Sequence, residues 1–229
     1  DWAGKRPEIV DPLTGEVRPV ELFVACLGAS SYTYAEATLT QQLPDWIGAH
    51  TRMLEFFSAV PAIVVPDNTR TGVTRACRYE PDLNPTYQDF ADHNGLAIVP
   101  ARAGKARDKA KVENAVLIAE RMVLGALRDQ LFFSLAELNV AIREALEKLN
   151  GKKFQKLDVS RRELFEQVDR PAMRPLPVKR YEYGEWRKAK VNIDYHIEAE
   201  RSYYSTPYGL IHKTVDVRLT AATLEIWHE

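Results

Sequence analysis

The chain has 229 residues and a formal net charge of −1, and 45% of its residues are hydrophobic, enough to bury a full core. The near-neutral charge gives no overall attraction to nucleic acid, so any such binding must depend on local basic patches. No apolar run approaches the roughly eighteen residues of a membrane helix, no signal peptide is recognisable, and two cysteines form neither a metal-binding spacing nor a disulfide framework, so we expect a cytoplasmic protein that contacts no membrane.

Three antiparallel strands are predicted at the start of the chain. Residues 8–20 contain the turn cluster Asp-Pro-Leu-Thr-Gly and predict a hairpin. Residues 20–27 form an apolar run typical of a buried strand, and residues 32–39 alternate and predict the next strand. We expect an antiparallel meander whose first strand carries Asp1. Because that strand begins without a Met, we also expect the chain to be a piece of a longer protein.

Helices and strands alternate after the meander. The predicted elements are a helix at 43–57, a strand at 61–66 that leads directly to Asp67, a helix at 84–93, a strand at 96–99, a helix that carries Glu113, and a helix at 134–150. Ser134 and Glu137 have the spacing of a capping box. This order is that of an RNase H-like α/β core, with a mixed five-stranded sheet and flanking helices.

A change of composition marks the last quarter of the chain. Residues 168–180 are rich in proline and predict a linker. Five short strands are predicted after it, at 186–191, 194–198, 201–205, 214–219 and 223–228, a spacing typical of a small all-β barrel. We expect Tyr203, Tyr204 and Tyr208 in the core of that barrel. The predicted organisation is an RNase H-like core over 1–167, a linker over 168–180 and the barrel over 181–229.

The stretch from Val99 to Val116 combines a strand end, a basic loop and the start of a helix. Cations near a helix N-terminus oppose the macrodipole, so their presence there favours an anionic partner. Apolar residues recur at helical spacing from Val112 to Leu127, and Glu113 lies beside this stripe. Glu113 is then either a carboxylate at the sheet edge or a solvated residue that offsets the nearby lysines.

Asp1, Asp67 and Glu113 are expected to converge at the carboxyl ends of the strands, where open α/β sheets place ligand sites. Carboxylates at close quarters raise one another's pKa, and divalent cations remove that conflict. Oxygen ligands without clustered His or Cys favour Mg²⁺ or Mn²⁺. Two such ions, about 3.5–4 Å apart, would activate a water or a 3′-hydroxyl for phosphoryl displacement. Glu120, two turns beyond Glu113, is the alternative third carboxylate.

Several segments together carry a specific resemblance. They include Asp-Trp-Ala-Gly at 1–4, Gln-Gln-Leu-Pro-Asp-Trp-Ile at 41–47, Val-Pro-Asp-Asn at 65–68, Lys-Ala-Lys-Val-Glu at 109–113 and Val-Asn-Ile-Asp-Tyr-His at 191–196. With these segments the chain resembles the catalytic core and following β-barrel of IstA-type insertion-sequence transposases, in the DDE transposase and retroviral integrase superfamily. The resemblance covers essentially the whole chain.

The resemblance implies both a chemistry and a set of partners. Asp1, Asp67 and Glu113 would be the catalytic, metal-binding triad of a DNA transposase. With two Mg²⁺ or Mn²⁺ ions, that enzyme would cleave DNA at transposon ends and transfer the 3′-hydroxyl to target DNA. The resemblance also implies a helix-turn-helix region and a C-terminal tail outside this chain, a helper ATPase of the AAA+ class, and a bacterial, nucleoid-associated location. Synapsis of two ends favours a homo-oligomer.

DNA contacts are predicted for two basic stretches, because phosphate contacts position a duplex without reading its sequence. The residues are Arg102, Lys105, Arg107, Lys109 and Lys111 before and within the Glu113 helix, and Arg180, Arg187, Lys188 and Lys190 around the first strand of the barrel. Aromatic residues interleave with the second group, a mixture that suits backbone tracking with occasional stacking. The alternative is that these cations are simply solvated.

Two other functions fit the same sequence. One is a structure-selective nuclease on the RNase H-like fold, which would use the same metals with water as its only nucleophile. The other is a catalytically silent DNA-binding or assembly module. A fold alone does not decide among the three.

Overall fold

The computed structural model describes residues 1–66, 73–75, 82–101 and 106–228. The strands are β1 (Glu8–Val10), β2 (Val17–Pro19), β3 (Glu21–Cys26), β4 (Thr33–Thr38), β5 (Ile63–Val64), β6 (Val73–Arg75), β7 (Asp82–Leu83), β8 (Ala97–Ile98), β9 (Glu185–Lys190), β10 (His196–Ala199), β11 (Ser202–Ser205), β12 (Thr214–Leu219) and β13 (Leu224–Trp227). The α-helices are α1 (Leu43–Phe57), α2 (Pro85–Asn94), α3 (Ala106–Ala119), α4 (Gly125–Leu127), α5 (Leu135–Gly151), α6 (Arg161–Leu164) and α7 (Arg170–Ala172). No helix in the described ranges has the length and apolar character needed to cross a bilayer.

The predicted meander is present at the start of the chain. Residues 1–3 run antiparallel to β3, with Trp2 opposite Phe23, and β3 pairs with β4 from Glu21–Thr38 to Cys26–Thr33. The hairpin predicted over 8–20 forms as β1 and β2. Its turn is closed by the Asp11 carboxylate, which accepts hydrogen bonds from two backbone N–H groups. The pairing therefore agrees with the sequence pattern.

The predicted five-stranded sheet is not observed as one continuous ladder among the described residues. β5 and β8 form a separate parallel pair, with Ile63 opposite Ala97. β5 has only two residues, and it lies between Pro61 and Pro66. Proline has no N–H to donate to a ladder, so the flanking prolines keep this strand short.

Alternation along the sheet separates two apolar layers. Phe23 and Tyr34 face α1, where they pack against Trp46, Met53 and neighbouring side chains. The alternate residues Leu22, Val24, Ala35 and Ala37 face the opposite way, toward α3, α4 and α5. Each face of the sheet is thus covered by helices, which is the layer arrangement expected for an α/β core.

The helix that carries Glu113 extends to Leu127, but a π-helical turn at Glu120–Leu124 interrupts it. Ala115, Ala119, Val123 and Leu127 are buried at intervals of four residues. Met122, predicted on the apolar stripe, is exposed instead. The π turn contains extra residues per turn, so it rotates the stripe relative to a regular helix.

A helical stretch at 161–172 was not predicted. Ser160 caps it with a complete capping box, in which Glu163 accepts from the N–H of Ser160. Phe165 is buried and stacks on Tyr32, so this stretch packs on the core. It continues past residue 168, where the linker was predicted to begin. The domain boundaries themselves stay a prediction.

All five strands predicted after the linker are present, as β9 to β13. Their pairing gives a three-stranded sheet, β13-β12-β9, and a β10-β11 hairpin; among the described residues no hydrogen-bonded ladder closes these into a barrel. Their small core contains Val191, Ile197, Val215 and Val217, against which Tyr204 packs. The prediction for the other two tyrosines is wrong: Tyr203 and Tyr208 are 67% and 83% exposed.

Side chains fasten this β region to α2. Arg218 Nε donates to Asp89 Oδ2 at 3.0 Å, and the Tyr181 hydroxyl donates to the same oxygen at 2.8 Å. Arg218 lies so close to Gly184 that a Cβ there would come within 2.8 Å of its guanidinium carbon. Gly184 is therefore the residue that lets the chain pass beneath the arginine.

Candidate active site

Asp1 is held beside Val24 of β3 by its backbone. Its amino group donates to the C=O of Val24, and the N–H of Val24 donates to the C=O of Asp1, both at 2.8 Å. The Asp1 side chain is oriented as well, because its Oδ1 accepts from the N–H of Trp2 at 2.8 Å. A carboxylate fixed in this way fits the predicted role, since little further ordering is needed to bind a ligand.

A cavity of about 440 Å³ opens beside Asp1, between β3 and β5. Val65 and Pro66 line it from the opposite wall, and Trp46 and His50 form part of its floor. Asp67 follows Pro66 directly in the chain but lies outside the described residues. The backbone that leads to Asp67 therefore borders the same space as Asp1.

Glu113 is exposed on the first half of α3. Glu120, the alternative third carboxylate, has a structural contact: its Oε1 accepts from the backbone N–H of Lys5 at 3.1 Å. This bond joins the helix to the segment that continues from Asp1. Within the described part of the chain, no three Asp, Glu, His or Cys side chains lie close enough to hold a metal ion together. A triad that includes Asp67 falls outside that test.

His50 is a buried residue of this region that sequence analysis missed. Its Nδ1 lies 2.9 Å from the C=O of Trp46, and its Nε2 lies 3.1 Å from the Tyr87 hydroxyl. A carbonyl only accepts, so Nδ1 carries the proton and Nε2 accepts from Tyr87. Burial lowers the pKa of His50 to about 3, which keeps the ring neutral. Its position on the buried stripe of α1, four residues after Trp46, was the available signal.

The predicted DNA-contacting residues differ in their surroundings. Arg180 pairs with Glu55 at 2.6 Å, and Arg187 pairs with both Glu185 and Glu200 at 2.8 Å. Lys188 lies 3.9 Å from Asp216, while Lys190 is exposed and has no carboxylate within 4 Å among the described residues. Arg102 and Lys105 lie outside the described residues, and Arg107, Lys109 and Lys111 are described only as part of the α3 backbone.

Comparison with known proteins gives a consistent class. Residues 176–229 match the family model described as Mu transposase, C-terminal domain. The whole chain is 48% identical to a candidate transposase of Sinorhizobium fredii, y4bL/y4kJ/y4tB, and covers 44% of that protein. It is 47% identical, again over its full length, to a candidate transposase for insertion sequence IS408 of Burkholderia multivorans, and also covers 44% of it. The chain thus spans less than half the length of these relatives.

Solved structures show the fold. The catalytic core domain of BIV integrase matches 74% of this chain and 95% of its own length, with a TM-score of 0.51 and 12% identity. A chain of the simian T-cell lymphotropic virus intasome, solved in complex with PP2A regulatory subunit B56 gamma, matches 99% of this chain and 74% of its own, with a TM-score of 0.54 and 11% identity. The α/β core therefore shares the RNase H-like fold of integrase catalytic cores, as predicted.

Proposed function

We propose that this chain is the catalytic part of a DNA transposase of the DDE superfamily, of the IstA type. Similarity over its full length to candidate transposases, one of them for an insertion sequence, supports the class. The fold is that of an integrase catalytic core, which supports an assignment to polynucleotidyl transfer. Fold alone does not give function, so the proposal depends on the carboxylates at the sheet edge.

The observation that carries the proposal is the course of three segments around one sheet edge. Asp1 and Pro66 line one cavity, and Asp67 is the next residue of the chain after Pro66. Lys5 contacts Glu120, and further along the chain Val10 donates to the C=O of Phe132, so residues 1–10 and the Glu113 helix run in the same direction.

This shared direction relates Glu113 to Asp1. Glu113 precedes Glu120 by seven helical residues, about 10 Å along the helix axis, and Asp1 precedes Lys5, the partner of Glu120, by four residues. We therefore expect Glu113 to lie toward Asp1 from Glu120, and the Asp1, Asp67 and Glu113 carboxylates would then share one end of the sheet.

A set of three carboxylates fits hard divalent cations, so Asp1, Asp67 and Glu113 would hold two Mg²⁺ or Mn²⁺ ions. When bound, these ions supply a nucleophile at neutral pH and stabilise the leaving oxygen. Asp1 contributes an oriented carboxylate, because its backbone is bonded to Val24 and its Oδ1 to Trp2. The neutral His50 beneath the cavity adds no charge that would compete with the cations.

The remaining parts of the proposal concern partners. The substrates are transposon ends and target DNA, and synapsis of two ends requires a homo-oligomer. A helper ATPase of the AAA+ class and a bacterial, nucleoid-associated location follow from the resemblance to IstA-type enzymes. We expect Lys190, and Lys188 at 3.9 Å from Asp216, to bind phosphates more readily than Arg180 and Arg187, because the guanidinium groups already have closer carboxylate partners.

Strand transfer with pre-cut transposon ends in Mg²⁺ tests the chemistry. Asp67→Asn and Glu113→Gln are expected to reduce joined products to background while the circular dichroism spectrum and melting temperature stay unchanged. Glu120→Gln is the matched control on the same helix, and it keeps an acceptor for Lys5, so activity should remain. Cleavage without joined product would favour a nuclease, and an active Asp67→Asn protein would remove Asp67 from the site.

DNA binding is tested separately through its salt dependence. Each phosphate contact contributes about 0.9 to the slope of log K against log salt for duplex DNA. Lys190→Ala should lower that slope by roughly 1. Arg180→Ala, which removes a cation already paired with Glu55, should change it less. Equal effects of the two substitutions would contradict the ranking.

A further inference from the structure

The connecting segment between the core and β9, residues 173–184, lies along helix α2 and runs in the opposite direction. His93, in the last turn of the helix, donates from Nε2 to the C=O of Lys179 at 2.9 Å. About one turn earlier in the helix, Asp89 Oδ2 accepts from the Tyr181 hydroxyl at 2.8 Å. Tyr181 is buried in the same apolar cluster as the core-facing residues of α1 and α2. The connecting segment is therefore part of the folded core and not a free linker.

The chain reaches the first turn of α2 as β9 begins. There the N–H of Trp186 donates to Thr86 Oγ1 at 3.1 Å. Helix α2 leads into β8, which is parallel to β5, and a helix between two parallel strands runs back along them. The first turn of α2 thus lies at the end of the core where β5 leads, through Pro66, to Asp67. This is also the end of the sheet at which we place the candidate active site.

Strand β9 carries its basic residues past the first turn of α2. It continues in the direction of the connecting segment, and side chains alternate along a strand, so Trp186, Lys188 and Lys190 share one face. Arg218 is opposite Trp186 and contacts α2 through Asp89, so this face is the one that meets the core. Lys190 is four residues beyond Trp186, about 13 Å, which equals about four base-pair steps of duplex DNA. Two exposed lysines therefore lie toward the active-site end of the core.

One carboxylate holds this arrangement. Arg218 Nε donates to Asp89 Oδ2 at 3.0 Å, and the same oxygen accepts from Tyr181. Arg218 Nη2 also donates to the C=O of Glu182 in the connecting segment, at 2.8 Å. The side chains of Arg218 and Asp89 are only 15% and 25% exposed. Hydrogen bonds between charged groups are stronger than those between neutral groups, so Asp89 joins β12, the connecting segment and α2 at a single point.

We propose that Asp89 is a positioning residue for DNA. By holding Arg218 and Tyr181, it fixes the lysines of β9 at a set distance from the catalytic carboxylates. One protomer then binds and cuts the same duplex a few base pairs apart. A flexible connection would let the bound phosphates take many positions, and ordering them for the reaction would cost free energy. This inference rests on the proposed transposase function, but it concerns where the DNA lies and not how tightly it is bound.

Two substitutions remove the attachment in different ways. Asp89→Ala removes the shared acceptor, and Gly184→Ala places a Cβ 2.8 Å from the guanidinium carbon of Arg218, so the arginine must move. Asp92→Ala is the matched control on the same helix. Asp92 is exposed, and among the described residues its carboxylate bonds only to Gln88 of α2 itself. The basic residues of β9 are unchanged in all three variants.

Distances between spin labels test the attachment without DNA, metal or activity. Glu144→Cys on α5 and Tyr208→Cys in the β region place labels at two exposed positions, in a Cys26→Ser, Cys77→Ser background. The parent protein and the control should each give one narrow distance distribution by pulsed electron spin resonance. The two test variants should widen it at least twofold while the circular dichroism spectrum stays unchanged. Distributions of equal width in all four proteins would overturn the proposal.

Strand transfer with pre-cut transposon ends tests the effect on DNA. Both test variants should raise the KM for DNA at least fivefold and change kcat less than twofold, because the carboxylates are untouched. The salt dependence of duplex binding should stay that of the parent, because the lysines remain. A loss of kcat at unchanged KM would mean that Asp89 supports the catalytic carboxylates instead, and would overturn the proposal. A parent protein that joins no DNA would overturn the proposed function and with it the role in DNA positioning, whereas the label distances would still report the attachment itself.

Discussion

The outer edge of β4 and the cavity-facing edge of β5, which belong to separate ladders, differ in how their backbone groups are covered. Val24 bonds to Asp1, so its pair with Ala35 exchanges no hydrogen bonds, and Thr33, Ala35 and Ala37 therefore direct their backbone groups away from β3. At two of these three positions a carboxamide from α5 completes the edge: Asn150 accepts from and donates to Thr33, and Asn139 does the same for Ala37. By contrast, the edge of β5 that faces the cavity has no such cover among the described residues.

The β4 edge has hydrogen-bond partners from side chains, and the cavity-facing edge of β5 has none among the described residues. A side-chain carboxamide presents one donor and one acceptor, as a neighbouring strand does, but it leaves no further edge for pairing. The β4 edge therefore ends the sheet. The exposed Ile63 and Val65 instead lie in the interior of the expected sheet order, beside the candidate active site.

The largest expected loss in the free energy of unfolding is at the β4 edge. Asn150→Ala removes two hydrogen bonds from Thr33, and both residues are buried, so an unpaired N–H and C=O remain without water. Two such groups cost about 2–4 kcal/mol in the free energy of unfolding. Urea denaturation measures the loss. Glu144→Ala, an exposed change on the same helix, should stay within about 0.5 kcal/mol.

Asn139→Ala should cost less than Asn150→Ala. Its two bonds to Ala37, 2.7 and 2.9 Å long, are equally short, but Asn139 is only half-buried, so water can replace part of what is lost. A loss of about 1–2 kcal/mol is expected by the same urea measurement. If the double substitution exceeded the sum of the single ones by more than about 0.5 kcal/mol, the two carboxamides would act as one unit rather than as separate covers.

His50, which lines the cavity beside Asp1, gives a pH-dependent prediction. Burial lowers the pKa of His50 from 6.5 to about 3, so the folded protein binds fewer protons than the unfolded chain between these values. Stability is therefore fully present above pH 6.5 and falls as the pH decreases toward 3. Between pH 7.5 and 5.5 the histidine alone should remove about 1.4 kcal/mol from the free energy of unfolding. His50→Gln should flatten this part of the profile, and an unchanged slope would mean that His50 is not the group responsible.

The elements that the sequence predicts correctly are those with several local signals. Helix α1 matches its predicted limits of 43–57, because Pro44 and Asp45 in its first turn and a regular apolar stripe all indicate one element. Ser134 caps α5 as predicted, although Glu137 accepts from the N–H of Phe133 rather than of Ser134 itself. Where propensity, capping and periodicity agree, local sequence determines the element.

The sequence-based predictions fail where contacts between residues distant in the chain determine the structure. The helical stretch at 161–172 contains Pro171, and its proline-rich surroundings predicted a linker, but stacking of Phe165 on Tyr32 places it on the core. Tyr203 and Tyr208 were assigned to a core that the strands fill with valine and isoleucine instead. Of the predicted triad, Asp1 and Glu113 are described and Asp67 is not, so their convergence stays a prediction. Sequence spacing cannot supply this, because the convergence depends on how separate ladders meet.

The smallest expected change in the free energy of unfolding is at the cavity-facing edge of β5. Ile63→Thr changes a residue that is 54% exposed at the open edge, so in residues 1–229 the free energy of unfolding should change by less than about 0.5 kcal/mol. Val24→Thr, a similar change at a fully buried residue of β3, places a hydroxyl among apolar neighbours and should cost about 1–3 kcal/mol. A large cost of Ile63→Thr would mean that β5 has no open edge, and the contrast between the two edges would not hold.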